Sequence, residues 1–149
     1  MKNIKPFVIM LATLGIAIAM IAWVPAGEGL VVIVNEGNPI EKMTASQVKL
    51  NYLRKINKRW KEINKNIVPV DTKNNSDLRK SFLKDVLDMS SDEFTRHFTE
   101  REYQNAEAPP VKMSSDSEVV EYVENNIGAI GFVDKSSTVG KKVKIVFAL

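Results

Sequence analysis

The run Leu30-Val-Val-Ile-Val constrains this chain more than any other segment. It is five apolar residues in succession, four of them β-branched. A strand with one face in water alternates apolar and polar residues. An unbroken apolar run is a strand buried on both faces. The sheet that holds it must therefore be covered on both sides, and the rest of the chain supplies the cover. Thr44-x-x-Gln47 and Ser90-x-x-Glu93 have the form of capping boxes, in which paired side chains satisfy orphan backbone donors at a helix start. Ser115-x-x-Glu118 has the same form. The first predicted helix offers Val48, Tyr52 and Leu53 to the core. A second starts near Ser76 and carries Leu78, Phe82, Leu83, Val86 and Leu87 at amphipathic spacing. The third turns Phe94 and Phe98 inward, and the fourth Val119, Val120 and Val123. Further strands are expected at residues 67–70, 128–133 and 143–147, with Pro69 suggesting a strand end or an edge. Residues 106–110 read as an extended linker. Strands alternating with helices predict an α/β fold with a mixed or mostly parallel sheet flanked by helices.

The N-terminus reads differently. Lys2 and Lys5 precede an uncharged apolar run over residues 7–26. A basic start followed by such a run is the pattern of a secretory signal peptide, and Val24-Pro25-Ala26 provides a cut site after Ala26. The run is also long enough to span a bilayer, so a retained N-terminal anchor is the other reading. Both place the remainder outside the inner membrane, in the periplasm. Cutting after Ala26 lowers the formal net charge from +3 to +1, since no acid precedes Glu28. That charge gives no reason to expect a nucleic-acid partner. What remains, residues 27–149, has the length of one domain.

Composition narrows the chemistry. The chain has no Cys and one His, so disulfides, thiolate metal sites, thiol nucleophiles and multi-histidine metal centres within one chain are excluded. No Gly-x-Ser-x-Gly, Walker A or dinucleotide fingerprint occurs, and His97 has no obvious catalytic partner. The chain is not expected to be an enzyme, and no cofactor or metal is implied. The candidate site is the loop from the second strand into the second helix, because ligands of α/β sheets gather at strand C-terminal ends. There Asn74, Asn75 and Ser76 offer polar donors, and Lys73 and Arg79 positive charge, for a small anion. The plainer reading is that Asn75 or Ser76 caps the helix. Asp77 in the first turn would repel an anion. The basic stretch from Arg54 to Lys65 reads as a solvated face, or as a surface for anionic headgroups or an acidic partner. Trp60 within it reads as a core anchor.

Three segments in order resemble a known family. Thr44-Ala-Ser-Gln-Val-Lys-Leu-Asn-Tyr-Leu-Arg-Lys-Ile-Asn-Lys-Arg-Trp60 is similar to the helix-and-turn segment of phosphate ABC transporter substrate-binding proteins. Residues 67–70, the polar loop and Phe82 resemble that family's ligand strand, loop and helix. Gly128-Ala-Ile-Gly-Phe-Val133 resembles its Gly-Ala-Ile-Gly-Tyr-Val strand. The resemblance implies a periplasmic-binding-protein-like fold and non-covalent capture of phosphate or a similar oxyanion; of the family's phosphate ligands only Ser76 carries over, and Asn75, Asn74 and Arg79 join it from the reading of the loop itself. It also implies a transporter or envelope partner. Two departures matter. Family members have two lobes, and this chain has length for one. Asp71 stands where the family's ligand loop carries Arg, and Arg54 where its turn carries Gly. The alternative is an envelope interaction module that kept the fold and lost the ligand. A homodimer could rebuild a cleft between two copies.

Overall fold

The computed structural model describes residues 29–149, so the expected signal peptide or anchor lies outside the described residues. The first strand, β1 (Leu30–Asn35), sits inside a five-stranded sheet and is covered on both faces, as its apolar run requires. Helix α1 (Ala45–Tyr52) follows, then a small hairpin of β2 (Arg59–Trp60) and β3 (Lys65–Asn66). Strand β4 (Val68–Thr72) leads into α2 (Asp77–Ser81). Then come α3 (Ser91–Asn105), β5 (Val111–Met113), α4 (Asp116–Asn125), β6 (Ala129–Asp134) and β7 (Val143–Ala148).

The sheet order is β5-β4-β6-β1-β7. Strand β4 runs parallel to β5 and β6, while β1 is antiparallel to both β6 and β7. Four strands therefore point one way and β1 opposes them, giving the mixed, mostly parallel α/β sheet expected. The pleat sorts β1 between two cores. Val32 and Val34 join Tyr52, Phe82, Phe94 and Phe132 on one face. Val31 and Ile33 join Val119, Val120 and Val123 of α4 on the other. Helices α1, α2 and α3 thus cover one face and α4 the second.

Local devices follow the sequence closely. Thr44 and Ser90 both form complete capping boxes. Ser115 caps α4, but the Glu118 carboxylate takes the Ser114 amide at 2.7 Å in place of the expected Ser115 amide. The second helix is not one regular helix. After α2 the backbone widens into a π-type turn over Phe82–Val86, which turns Phe82, Leu83 and Val86 inward together. Trp60 is buried, and its indole Nε1 donates to the Gly128 carbonyl at 2.9 Å. Gly128 is required there, since a Cβ on it would lie 2.2 Å from the Asn66 carbonyl oxygen. Pro69 is not on an edge strand. It precedes the stretch of β4 that pairs with β5, so its missing N–H costs no ladder bond there. The hairpin β2–β3 and the three-residue β5 were not expected, because their charged or short runs carry no periodicity.

Candidate functional site

Strands β4 and β5 run parallel and end together, and helices α2 and α4 begin just beyond them. Residue 71, expected in the loop, is instead the second-last residue of β4, where its side chain is 0% exposed. A buried carboxylate needs cations and donors to replace its water. Asp71 has them. Its Oδ1 accepts from the Thr72 amide at 2.8 Å and from Arg79 Nε at 2.9 Å. Its Oδ2 accepts from Arg79 Nη2 at 3.0 Å and from Lys112 Nζ. This is the two-pronged guanidinium–carboxylate geometry that charge-assisted pairs favour. Arg79 is itself buried, its side chain 7% exposed, whereas the Lys112 side chain is 45% exposed.

The aromatic floor explains the position of these charges. Arg79 and Lys112 lie over the Phe94 ring, at 5.4 and 5.9 Å from its centroid. The Tyr52 hydroxyl donates to the Val70 carbonyl at 2.7 Å, one residue before Asp71. Burial first, then the nearby Asp71 charge, push the Tyr52 phenol well above its ordinary range, so it stays neutral. The hydrogen bonds to Asp71 hold Arg79 more firmly protonated than usual, against the opposing effect of burial.

The sequence-predicted residues surround this pair without forming one constellation. Ser76 is the N-cap of α2, its Oγ accepting the Arg79 amide at 3.2 Å. Asn74 donates through Nδ2 to the Ser114 carbonyl at 3.0 Å, tying the loop to the end of β5. Asn75 is exposed and borders an open groove of about 450 Å³ shared with Lys80, Lys84, Asp88, Ser90, Ser91 and Glu93. Arg79 reaches toward that groove, its Nη1 3.4 Å from Ser91 Oγ. Lys112 and Ser91 were missed. Lys112 belongs to a three-residue strand after a Pro-Pro segment, and only the alternation of Val111 and Met113 around it marks it in sequence. His97 packs elsewhere, with its ring Nε2 3.0 Å from the Leu53 carbonyl. Among the described residues no group of three or more His, Asp or Glu side chains could hold a metal ion. No helix among them is long and apolar enough to cross a membrane.

The charges at this strand end do not cancel. Within this cluster two cations, Arg79 and Lys112, face the one sealed carboxylate of Asp71, while the groove beside it sets Lys80 and Lys84 against Asp88 and Glu93. Such a corner can hold a small anion without covalent chemistry.

No family model matches the chain, and no curated protein does. Solved structures do. An ABC-type phosphate transport receptor from Vibrio cholerae is 27% identical with a TM-score of 0.61. The match covers 80% of this chain and 46% of the receptor. A protein of Clostridium perfringens, described as a phosphate ABC transporter substrate-binding protein with bound phosphate, is 24% identical with a TM-score of 0.62. That match covers 80% of this chain and 44% of the other. The chain therefore spans less than half the length of these structures. The resemblance carried by the three sequence segments is met in the fold, and the described residues have the architecture of a periplasmic-binding-protein-like lobe.

Proposed function

We propose that this protein is an exported, single-lobe solute-binding protein that captures a small oxyanion, phosphate first, at the β4–α2 corner. The carrying observation is that two cations, Arg79 and Lys112, share the single carboxylate of Asp71, with Arg79 Nη1 reaching toward Ser91 on the groove wall. The likeness to a phosphate transport receptor supports the same ligand class. In this reading Arg79 and Lys112 attract the anion, Asn75 and Ser91 donate to it from the groove wall, and Asn74 and Ser76 hold the loop. Residues 1–26 direct export, residues 27–149 make one domain, and a transporter or another envelope protein receives the ligand. A second copy of the chain could close over the corner. Nothing in the arrangement supplies a nucleophile with a base, so capture is the whole chemistry and no catalytic residue is assigned.

Binding by one lobe leaves much of the anion in water, where each ion pair is weak. Affinity is therefore expected nearer 1 mM than 1 μM, that is about −4 rather than −8 kcal/mol. Calorimetric titration of phosphate at low ionic strength tests it. Saturable heat, weakened several-fold in Lys112→Gln, supports the reading. No heat at tens of millimolar phosphate overturns it and leaves the interaction module as the better account.

A further inference from the structure

We infer that the domain carries a second anion pocket, built on Arg54 beside the start of β4 and independent of the β4–α2 corner. Three separate observations converge on Arg54. First, it follows the C-cap of α1 with φ of 49°, in the left-handed region where glycine sits at least cost. A long charged side chain there works against the backbone, and such an outlier points to a task for the side chain.

Second, the guanidinium is placed but under-used. Nη2 donates to the Ala108 carbonyl, and the guanidinium carbon lies 5.7 Å from the centroid of the Phe98 ring. Nε is shielded from solvent and has no acceptor among the described residues. A guanidinium has five N–H donors, and a buried one without an acceptor calls for an ion or a water.

Third, the neighbourhood has too few negative charges. The Glu107 side chain, 8% exposed, accepts from Lys58 at 2.6 Å and from Arg101 at 3.1 Å. Burial alone would raise the Glu107 carboxyl, but these two partners hold it below the usual range, so it stays ionised. Burial pulls the Arg54 guanidinium down and Glu107 only partly restores it. Three cations thus share one carboxylate that is already committed to two of them.

The cavity beside them is about 260 Å³ and is lined by Arg54, Lys58, Asn66, Ile67 and Glu107. That is space for roughly eight water-sized volumes of about 30 Å³ each, enough for a hydrated tetrahedral ion. The cations and the Asn66 amide offer N–H groups, and the Glu107 oxygens are occupied. The occupant must therefore accept hydrogen bonds and need not donate any. That is a free small oxyanion, with sulfate suiting the pocket as well as hydrogen phosphate. In the cavity's own lining Arg54 and Lys58 stand against Glu107 alone, so one surplus positive charge faces the occupant.

Sulfate is the probe, and the full chain labelled with nitrogen-15 is the sample. Arginine Nε–H signals are followed during titration with sulfate at constant ionic strength held with chloride. The Arg54 signal is assigned by its loss in Arg54→Gly, a variant expected to fold because glycine suits φ of 49°. The expected result is a saturable shift of the Arg54 signal with a millimolar midpoint, weakened about tenfold in Lys58→Gln, which keeps Arg54 but removes an ammonium. An Arg54 signal unmoved at 100 mM sulfate overturns the inference. So does a shift that never saturates, or one unchanged in Lys58→Gln. The Arg79 Nε–H signal reports the β4–α2 corner in the same spectra, so either site can fail without the other.

Discussion

Asp71→Asn tests the reasoning about the β4–α2 corner in one substitution. Asparagine keeps the shape and one acceptor oxygen, so the Thr72 amide and one guanidinium donor remain served. The charge is lost, and Arg79 Nη2 then meets either an amide N–H or a neutral oxygen. Removing one partner from a buried pair strands the other charge, at about 3–5 kcal/mol for full truncation. Lys112 can swing into water and adds little. The isosteric change is therefore expected to cost about 2–3 kcal/mol, a large share of a typical domain's 5–15 kcal/mol. The same change raises the net charge of the Arg79, Lys112 and residue 71 cluster from one to two. For an anion about 6 Å from Asp71, at an effective dielectric constant near 20, each removed unit charge is worth roughly 3 kcal/mol. Phosphate should then bind about a hundredfold more tightly and restore stability. At a hundred times the new Kd the gain is about 2.7 kcal/mol. The assay is urea unfolding of wild type and variant in phosphate and in chloride of equal ionic strength. A variant as stable as wild type would show that Arg79 does not depend on Asp71. Equal phosphate gains in the two proteins would refute the electrostatic account of the corner.

Two further outcomes follow from the packing. Burial lowers the His97 pKa, with the neighbouring Arg101 and Lys55 charges acting the same way, while the hydrogen bond to Leu53 and the Glu107 charge oppose it. The unfolded chain therefore takes up the proton first, so stability falls as pH drops below about 6.5 and is fully present above it. Thermal melts at pH 5.5 and 7.5 should show this loss and His97→Gln should flatten it; a wild type equally stable at both would contradict the sign. Gly128→Ala places a methyl against the Asn66 carbonyl, which is backbone and cannot rotate away. A loss of about 1–3 kcal/mol is expected in urea unfolding, and a neutral result would mean that the β3–β4 junction yields freely.

The α/β class, the two covered sheet faces and most element starts could be read from the sequence because each rests on local physics. An apolar run without alternation has few fates, and Thr44, Ser90 and Ser115 announce helix starts through their own hydrogen bonds. Trp60 as a core anchor was legible for the same reason, since so large an apolar ring in a charged segment must find cover. The candidate corner was legible in place, at the exit of β4, but not in chemistry. Asp71 was visible as a misplaced negative charge, yet its meaning depends on Arg79 eight residues later and on Lys112 forty-one residues later. Pairings at such separations have no period and no motif. They exist only once parallel β4 and β5 bring their ends together over Phe94. Arg54 shows the same division. Its sequence neighbours present it as one more cation on a basic surface. Only the tertiary structure sets it at positive φ, lays it near Phe98, leaves its Nε without an acceptor and places Glu107 within its field. Local sequence determined which segments are strands and helices, because propensity, capping and burial act over a few residues. The tertiary structure decided which charges are satisfied and which are left over, because that sum runs over side chains joined only by the fold.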